Sequence, residues 1–391
     1  MNNPIHQPAD NILPFPHSEF DERLKLVQSV LTEKKLAGYL LFDPENIYWL
    51  TGYQTIGYFT FQCLYVPTKG KPALVSRIVN RGLGLATPTI GNFVAIHDTD
   101  EPVDVLVNFL KQAVRDSHPI GIETCAWYLT VRDYQGIIGS MDTHFVPCNG
   151  IIEPYRIIKT DVQIERIRAA ARAAEAGLAA AIKAVAPGKT ENDLAAAMFQ
   201  STISNGSEYL GHPPLVVAGQ RTAICFSMWR RNVIQKGDVI LLEAAGCIDR
   251  YHAMVARSVV VGEPTKRHKE AADAIIGVLN AAIETIRPGI SCGEADSSCR
   301  KIVEDLGLGH YFNHRAAYGI GIGFPPNWSE GRIYAIRPND PTILKPNMTF
   351  HVVPTLFMED FGMCFSESVR VTEDGCEVIT DFPRKLFQVD V

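Results

Sequence analysis

The chain has 391 residues, a formal net charge of −6 and 46% hydrophobic residues, more than one core usually supports, so two domains are expected, each large enough to bury an interior unaided. The acidic balance, with no basic stripe, excludes the electrostatic footprint of a nucleic-acid binder, and no apolar run reaches the ~20 residues of a membrane span. Nine scattered cysteines without a CxxC pair argue against a disulfide scaffold and lead us to expect a reducing, cytoplasmic setting. Residues 1–16 are polar and proline-bearing, without the apolar run of a leader.

In chain order, residues 23–35 carry the spacing of an amphipathic helix and 38–42, 63–66 and 73–75 read as strands, which predicts an α/β module over 1–155. The aromatic set Trp49, Tyr53, Tyr58, Phe59 and Phe61 reads as its core rather than as a ligand box. A boundary follows at 153–159. Thr160 and Gln163 then offer a capping box to an alanine-rich helix over 161–185, ended by Pro187-Gly188. A second helix begins at Thr190, residues 205–236 read as irregular, and 238–245 and 251–261 as a strand pair. Helices over 267–286 and 292–306 follow, the first closed by Pro288-Gly289, and 318–379 reads as strands and turns. Helices followed by antiparallel strands predict an α+β domain over 156–391. Pro-Gly followed by a capping hydroxyl ends a long helix twice, at Pro187 to Thr190 and at Pro288 to Ser291, which predicts two pseudo-symmetric halves.

Those helix ends, together with the strand Gly237-Asp238-Val239-Ile240-Leu241-Leu242-Glu243 and the segment Phe365-Ser366-Glu367-Ser368-Val369, resemble the creatinase/methionine-aminopeptidase superfamily over nearly the whole chain. The resemblance implies a "pita-bread" C-terminal domain preceded by a smaller α/β N-terminal domain. In the peptidase branch two metals are held by two aspartates, a histidine and two glutamates. Carried over position by position, these become Glu243, Met254, Tyr318, Val353 and Glu367, so the ligand set is expected to be dismantled and no metal or other cofactor is expected. The chain is more specifically similar to ectoine hydrolases. That likeness rests on Glu243-Ala244-Ala245-Gly246-Cys247 with Arg250-Tyr251-His252, on Phe324-Pro325-Pro326-Asn327-Trp328, on Met348-Thr349-Phe350-His351, and on the ending Phe382-Pro383-Arg384-Lys385-Leu386-Phe387. Phe226 stands where creatinases and ectoine hydrolases carry a histidine.

Strand alternation places His252 on the face of Met254 and His351 on the face of Val353, so a cleft lined by Glu243, His252, Tyr318, His351 and Glu367 is expected. An acid inside the apolar strand Leu241 to Ala245 is costly to keep without a role. His252 reads either as a satisfied core histidine or as a proton donor. The catalytic reading has Glu243 attack an amidine-type carbon, directly or through a water, while His252 protonates the departing nitrogen and Glu367 accepts from a substrate N–H. Tyr318, His351, Phe226 and Trp328 complete the substrate-binding set, and the resemblance places Arg332 at the cleft rim, suited to a carboxylate. The activity this implies is metal-independent cleavage of a carbon–nitrogen bond in a small cyclic amidine or amidino compound. In ectoine hydrolases that reaction opens a six-membered ring to an N-acetylated diamino acid; creatinase cleaves a guanidino carbon–nitrogen bond. The alternatives are a metal-free binding protein and an Xaa-Pro peptidase-like metallohydrolase. A homodimer is expected from the family arrangement, in which the N-terminal domain of one subunit reaches its partner's cleft.

Overall fold

Phe20, Val27 and Leu31 recur at helical spacing and are buried on one stripe. They make α1 (His17–Glu33), which starts ahead of the stretch expected from periodicity because the chain enters it from Pro16, and ends where Lys35 turns to φ 54°. The computed structural model describes residues 13–115, 117–141 and 143–390, so the polar N-terminal stretch lies outside the described residues as far as residue 12. The chain divides into two units, Met1–Pro154 and Tyr155–Val391.

In the first unit α1 is followed by β1 (Gly38–Leu41), α2 (Pro44–Thr51), β2 (Gln62–Pro67), β3 (Ala73–Arg77), β4 (Asn92–Ile96), α3 (Pro102–Ala113), β5 (Ile120–Ile122), α4 (Val131–Gly139) and β6 (Phe145–Pro147). Among the described residues the strands form one mixed sheet in the order β4-β3-β2-β1-β5-β6. The buried Glu123 accepts from the backbone of Phe42 and Asp43, each at 2.7 Å, tying the end of β5 to the start of α2. Trp49, Tyr53 and Tyr58 are buried, as core residues should be, whereas Phe59 is 71% exposed, correcting its reading as core. It ends a three-residue 3-10 helix, Gly57–Phe59, of which only Tyr58 is buried.

The second unit begins with α5 (Asp161–Ala184) and α6 (Glu191–Ser204). Both have complete capping boxes, at Thr160 with Gln163 and at Thr190 with Asp193. The stretch read as irregular contains β7 (Leu215–Ala218), a strand too short to show a period; β8 (Val239–Ile248) and β9 (Tyr251–Val261) pair beside it. Next come α7 (Lys266–Thr285) and α8 (Cys292–Asp305), then β10 (Ala317–Gly319), β11 (Ala335–Ile336), β12 (Thr349–Val352), β13 (Thr355–Phe357), β14 (Gly362–Cys364), β15 (Glu367–Val371), β16 (Cys376–Val378) and β17 (Phe387–Val389). Among the described residues two sheets result, in the orders β17-β9-β8-β7 and β11-β10-β12-β15-β16, with β13-β14 as a separate pair.

The halves repeat one another in hydrogen bonding. Gly188 N–H donates to Ile234 and Gly289 N–H to Leu344, both at 3.0 Å, and each bond is answered by a second one, Ile234 N–H to Lys189 and Leu344 N–H to Ile290, both at 2.8 Å. Gly188 and Gly289 have φ of 83° and 89°, the left-handed turn that ends each long helix. Ser366 and Ser368 join the two sheets: their Oγ atoms accept from Ala256 N–H at 2.7 Å and Met254 N–H at 2.9 Å.

The alanines of α5 let it lie directly on β8 and β9. Ala170, Ala171, Ala173, Ala174 and Ala181 are fully buried, and a Cβ on Gly246 of β8 would stand 2.0 Å from the Ala170 carbonyl oxygen. Because that oxygen belongs to a rigid helix, Gly246→Ala is expected to lower stability by about 3 kcal/mol, seen as a fall of roughly 6–12 °C in melting temperature. An unchanged melting temperature would show that the helix can move away.

Candidate active site

Residues from β7, β8, β10, β13 and β14 and from the loops around 222–227 and 327–332 enclose a cavity of about 200 Å³. Its walls are mainly apolar: Leu215, Val217, Leu241, Trp328, Val353 and Phe357. Glu243 is the carboxylate in this lining, 6% exposed. Burial pushes it up from the usual value near 4.5 to about 7, and a hydrogen bond from Tyr318 acts in the opposite direction.

Tyr318 is held by a chain of bonds whose polarity follows once Glu243 is ionised. Trp328 Nε1–H donates to the Tyr318 hydroxyl at 3.2 Å, and Ala256 N–H donates to Ser366 Oγ. His351 sits between the two hydroxyls, Nδ1 2.8 Å from Tyr318 and Nε2 2.7 Å from Ser366. Each hydroxyl already accepts from an N–H and has one proton to give. An ionised Glu243 can only accept, so the tyrosine proton points to it; His351 then donates from Nδ1, and Nε2 accepts from Ser366. The imidazole is neutral, because burial, with His314 nearby, drives it down to about 3. Hence His351 Nδ1 lies 3.7 Å from Glu243 without forming an ion pair. Burial and the charge of Glu243 hold Tyr318 well above its ordinary value, so it remains a phenol donor.

The structure gathers Glu243, Tyr318, Phe226, Trp328 and Arg332 around the cavity, and places His351 directly behind Tyr318. Phe226, 71% exposed, has φ 59°, an unusual backbone conformation for an aromatic residue and a mark of a constrained site. His252 and Glu367 do not line the cavity. Both His252 nitrogens are used: Nε2 accepts from Gly211 N–H and Nδ1 bonds the Arg250 carbonyl, each at 2.9 Å, which is the satisfied core histidine rather than a proton donor. Glu367 is closed off by Arg257 at 2.7 Å, Arg384 at 3.0 Å and the Thr380 hydroxyl, leaving it no role as acceptor for a substrate. The imidazoles that do line the cavity are His212 and His314, and with them Arg315. Sequence reading missed all three; His314-Arg315, just ahead of the Tyr318 position, was the available signal.

The donor atoms do not fit a dinuclear metal centre. Of the five positions that the resemblance assigns to ligands, Met254 and Val353 have no hard donor, Tyr318 is protonated, and Glu367 is neutralised by two guanidiniums. Among the described residues no group of three His, Cys, Asp or Glu side chains is arranged to hold a metal ion, and no helix is long and apolar enough to cross a membrane.

A two-sheet unit with a cavity between its pseudo-symmetric halves, preceded by a mixed α/β unit, defines a creatinase/prolidase-type pita-bread hydrolase. The model of metallopeptidase family M24 matches residues 165–373, more than half of the chain, and that of the creatinase/prolidase N-terminal domain matches residues 23–158. The chain belongs to family M24. It is 28% identical over 394 residues to the ectoine hydrolase of Halomonas elongata, covering 96% of this chain and 98% of that protein. The Xaa-Pro dipeptidase of Pyrococcus furiosus is 25% identical over 368 residues, covering 93% and 99%. The crystal structure of a prolidase from Thermococcus sibiricus superposes with a TM-score of 0.85 at 22% identity, over 95% of this chain and 99% of that one, and shares the fold.

The raised value of Glu243 sets a pH dependence of stability. Folded, it holds its proton up to about 7, whereas unfolded it releases it near 4.5, so stability falls as pH rises through that window. Glu243→Gln removes the term. Relative to wild type the variant should gain on the order of 3 kcal/mol between pH 4.5 and pH 8, measured by denaturant unfolding at several pH values. A stability difference independent of pH would place the carboxylate in a solvated setting.

Proposed function

We propose that this hydrolase cleaves, without a metal, a carbon–nitrogen bond of a small cyclic amidine or amidino compound bearing a carboxylate; the ectoine hydrolase of Halomonas elongata among its relatives supports the substrate class. The observation that carries the reading is Glu243: a desolvated carboxylate poised near neutrality in an apolar cavity, backed by a phenol donor. A desolvated acid is activated by a cation. An amidinium entering the cavity draws Glu243 into its charged form and supplies the compensation that a buried charge requires.

The carboxylate then attacks the amidine carbon directly or takes a proton from a water that does so. In the water route the carbon gains a hydroxyl while Glu243 gains a proton; that proton passes to the ring nitrogen, the carbon–nitrogen bond breaks, and the hydroxyl proton returns to Glu243 as the carbon becomes an amide carbonyl beside the freed amine. One group thus serves first as base and then as acid. Tyr318, kept in place by Trp328 and His351, holds Glu243 in one rotamer throughout. Phe226 and Trp328 cover the ring, and Arg332 stands exposed on the side where the carboxylate enters.

Glu243→Gln is expected to lower turnover of ectoine by at least ~10²-fold while binding falls less than turnover. Elemental analysis of the wild-type preparation should find no stoichiometric metal, and chelator should leave turnover unchanged. One or two metals per chain with activity lost on chelation would establish the metallohydrolase reading instead, and binding of ectoine with no turnover would establish the binding-protein reading.

We further propose a homodimer. Its support is a turn of the N-terminal unit that exposes Ile56 by 61% and Phe59 by 71%, apolar area that a partner would cover. Light scattering should report twice the chain mass of 43.2 kDa, and Phe59→Ser with Ile56→Ser should shift the protein toward monomer. A wild-type monomer with full activity would exclude the dimer.

A further inference from the structure

Arg315 is the charged group in the cavity lining that the mechanism leaves unused. Its guanidinium lies over the Tyr318 ring, 4.9 Å from the centroid, and Nη1 donates to the Gly331 carbonyl at 3.0 Å. Among the described residues no carboxylate pairs with it: apart from burial, the electrostatic influences on it are the Tyr318 phenol and a second cation, Arg337. A half-buried guanidinium with one carbonyl partner and several unused N–H donors is a binding site for an anion. Arg332, in contrast, is exposed, and an arginine in water gives up little of its hydration for a carboxylate.

The placement relative to Glu243 adds to this. Glu243 accepts from the hydroxyl end of Tyr318, and Arg315 covers the face of the same ring. Both charges therefore face the same cavity, one held at the hydroxyl edge of the Tyr318 ring and the other over its face. A ring compound with a cation at one edge and an anion at the other would satisfy both at once.

We propose that Arg315 is the carboxylate anchor of this site, a specificity-determining residue that selects zwitterionic ring compounds over cyclic amidines lacking an acid group. The assignment rests on the function proposed above for the identity of the cation, but not for that of the anion. Arg315 binds the carboxylate through paired N–H donors, and Arg332 contributes a weaker attraction from the rim.

The test compares ectoine with 2-methyl-1,4,5,6-tetrahydropyrimidine, the same ring without its carboxylate, on wild type, Arg315→Met, Arg315→Lys and Arg332→Met. Wild type should bind ectoine at least ~30-fold more tightly than the analogue. Arg315→Met should raise KM for ectoine by ~30-fold or more and leave the analogue within about threefold, with Arg315→Lys intermediate and Arg332→Met under about fivefold, as expected for buried against exposed charge pairs. Melting curves identify any variant that has lost its fold, and Arg315→Lys, which keeps the charge, then carries the comparison. Equal binding of the two rings by wild type, or equal loss on both in Arg315→Met, overturns the proposal. Should neither ring bind at all, the amidine reading fails by itself, and cyclohexanecarboxylate then reads the anion site alone. It should raise the melting temperature of wild type and not of Arg315→Met; no effect on wild type overturns the carboxylate anchor.

Discussion

A single hydrogen bond, from the Tyr318 hydroxyl to the Glu243 carboxylate, organises the centre of this protein. It is meaningful only because the donors behind it are committed: Trp328 and His351 give their protons to Tyr318, Ser366 gives its own to His351, and the Ala256 amide anchors Ser366 from β9. With Glu243 ionised, none of these groups has to turn. A preorganised donor costs no reorganisation at the moment of reaction, and in a cavity of low dielectric its effect on an adjacent charge is larger than in water. Here it tempers a desolvation strong enough to bring a carboxylic acid near neutrality.

Around that centre, buried arginines act as structural ties rather than as reagents. Arg250, fully buried, donates to the carbonyls of Gly323 and Tyr209 and stacks on the rings of Tyr209 and Phe324, joining two loops that wall the cavity. Arg257 reaches the carbonyls of Phe382 and Pro383 and the carboxylate of Glu367, so the C-terminal segment closes over β9. Much of the sequence likeness to ectoine hydrolases, from Arg250-Tyr251-His252 to Phe382-Pro383-Arg384, therefore falls on residues that hold the site's walls. Glu330, bound by Arg156 and Lys159, adds a third tie of this kind beneath the loop that carries Arg332.

The helices were legible because their signals are local: a capping hydroxyl, an apolar stripe and a Pro-Gly stop within a few residues of one another. Glu243 stood out for the same reason, as an acid in an apolar run. The histidines did not follow, because alternation along a strand reports a face only when one face is wet. Every residue of β9 is buried, so the parity of His252 carried no information about the cavity. His351 does lie toward the cavity but one layer too deep, screened by Tyr318. Glu367 was misread because its principal partner, Arg257, is 110 residues away in sequence and nothing local announces the pair. His314 and Arg315 sit in a short irregular approach to β10, where no period exists to read.

The duplicated frame has a stereochemical consequence. Glu243 follows Ile234 by nine residues, and Val353 follows Leu344 by the same number, so the two halves offer an acid and a hydrocarbon from equivalent positions to one shared space. The two halves repeat the backbone hydrogen bonds of Ile234 and Leu344 while their lining differs. Glu243, Val353 and the cation of Arg315 provide three chemically distinct contacts that do not lie along one line, the minimum that distinguishes an object from its mirror image. On the proposed assignment of Arg315, a ring whose acid group sits on a stereogenic carbon would meet all three in one hand only, an enantioselectivity that follows from the loss of side-chain equivalence between the halves.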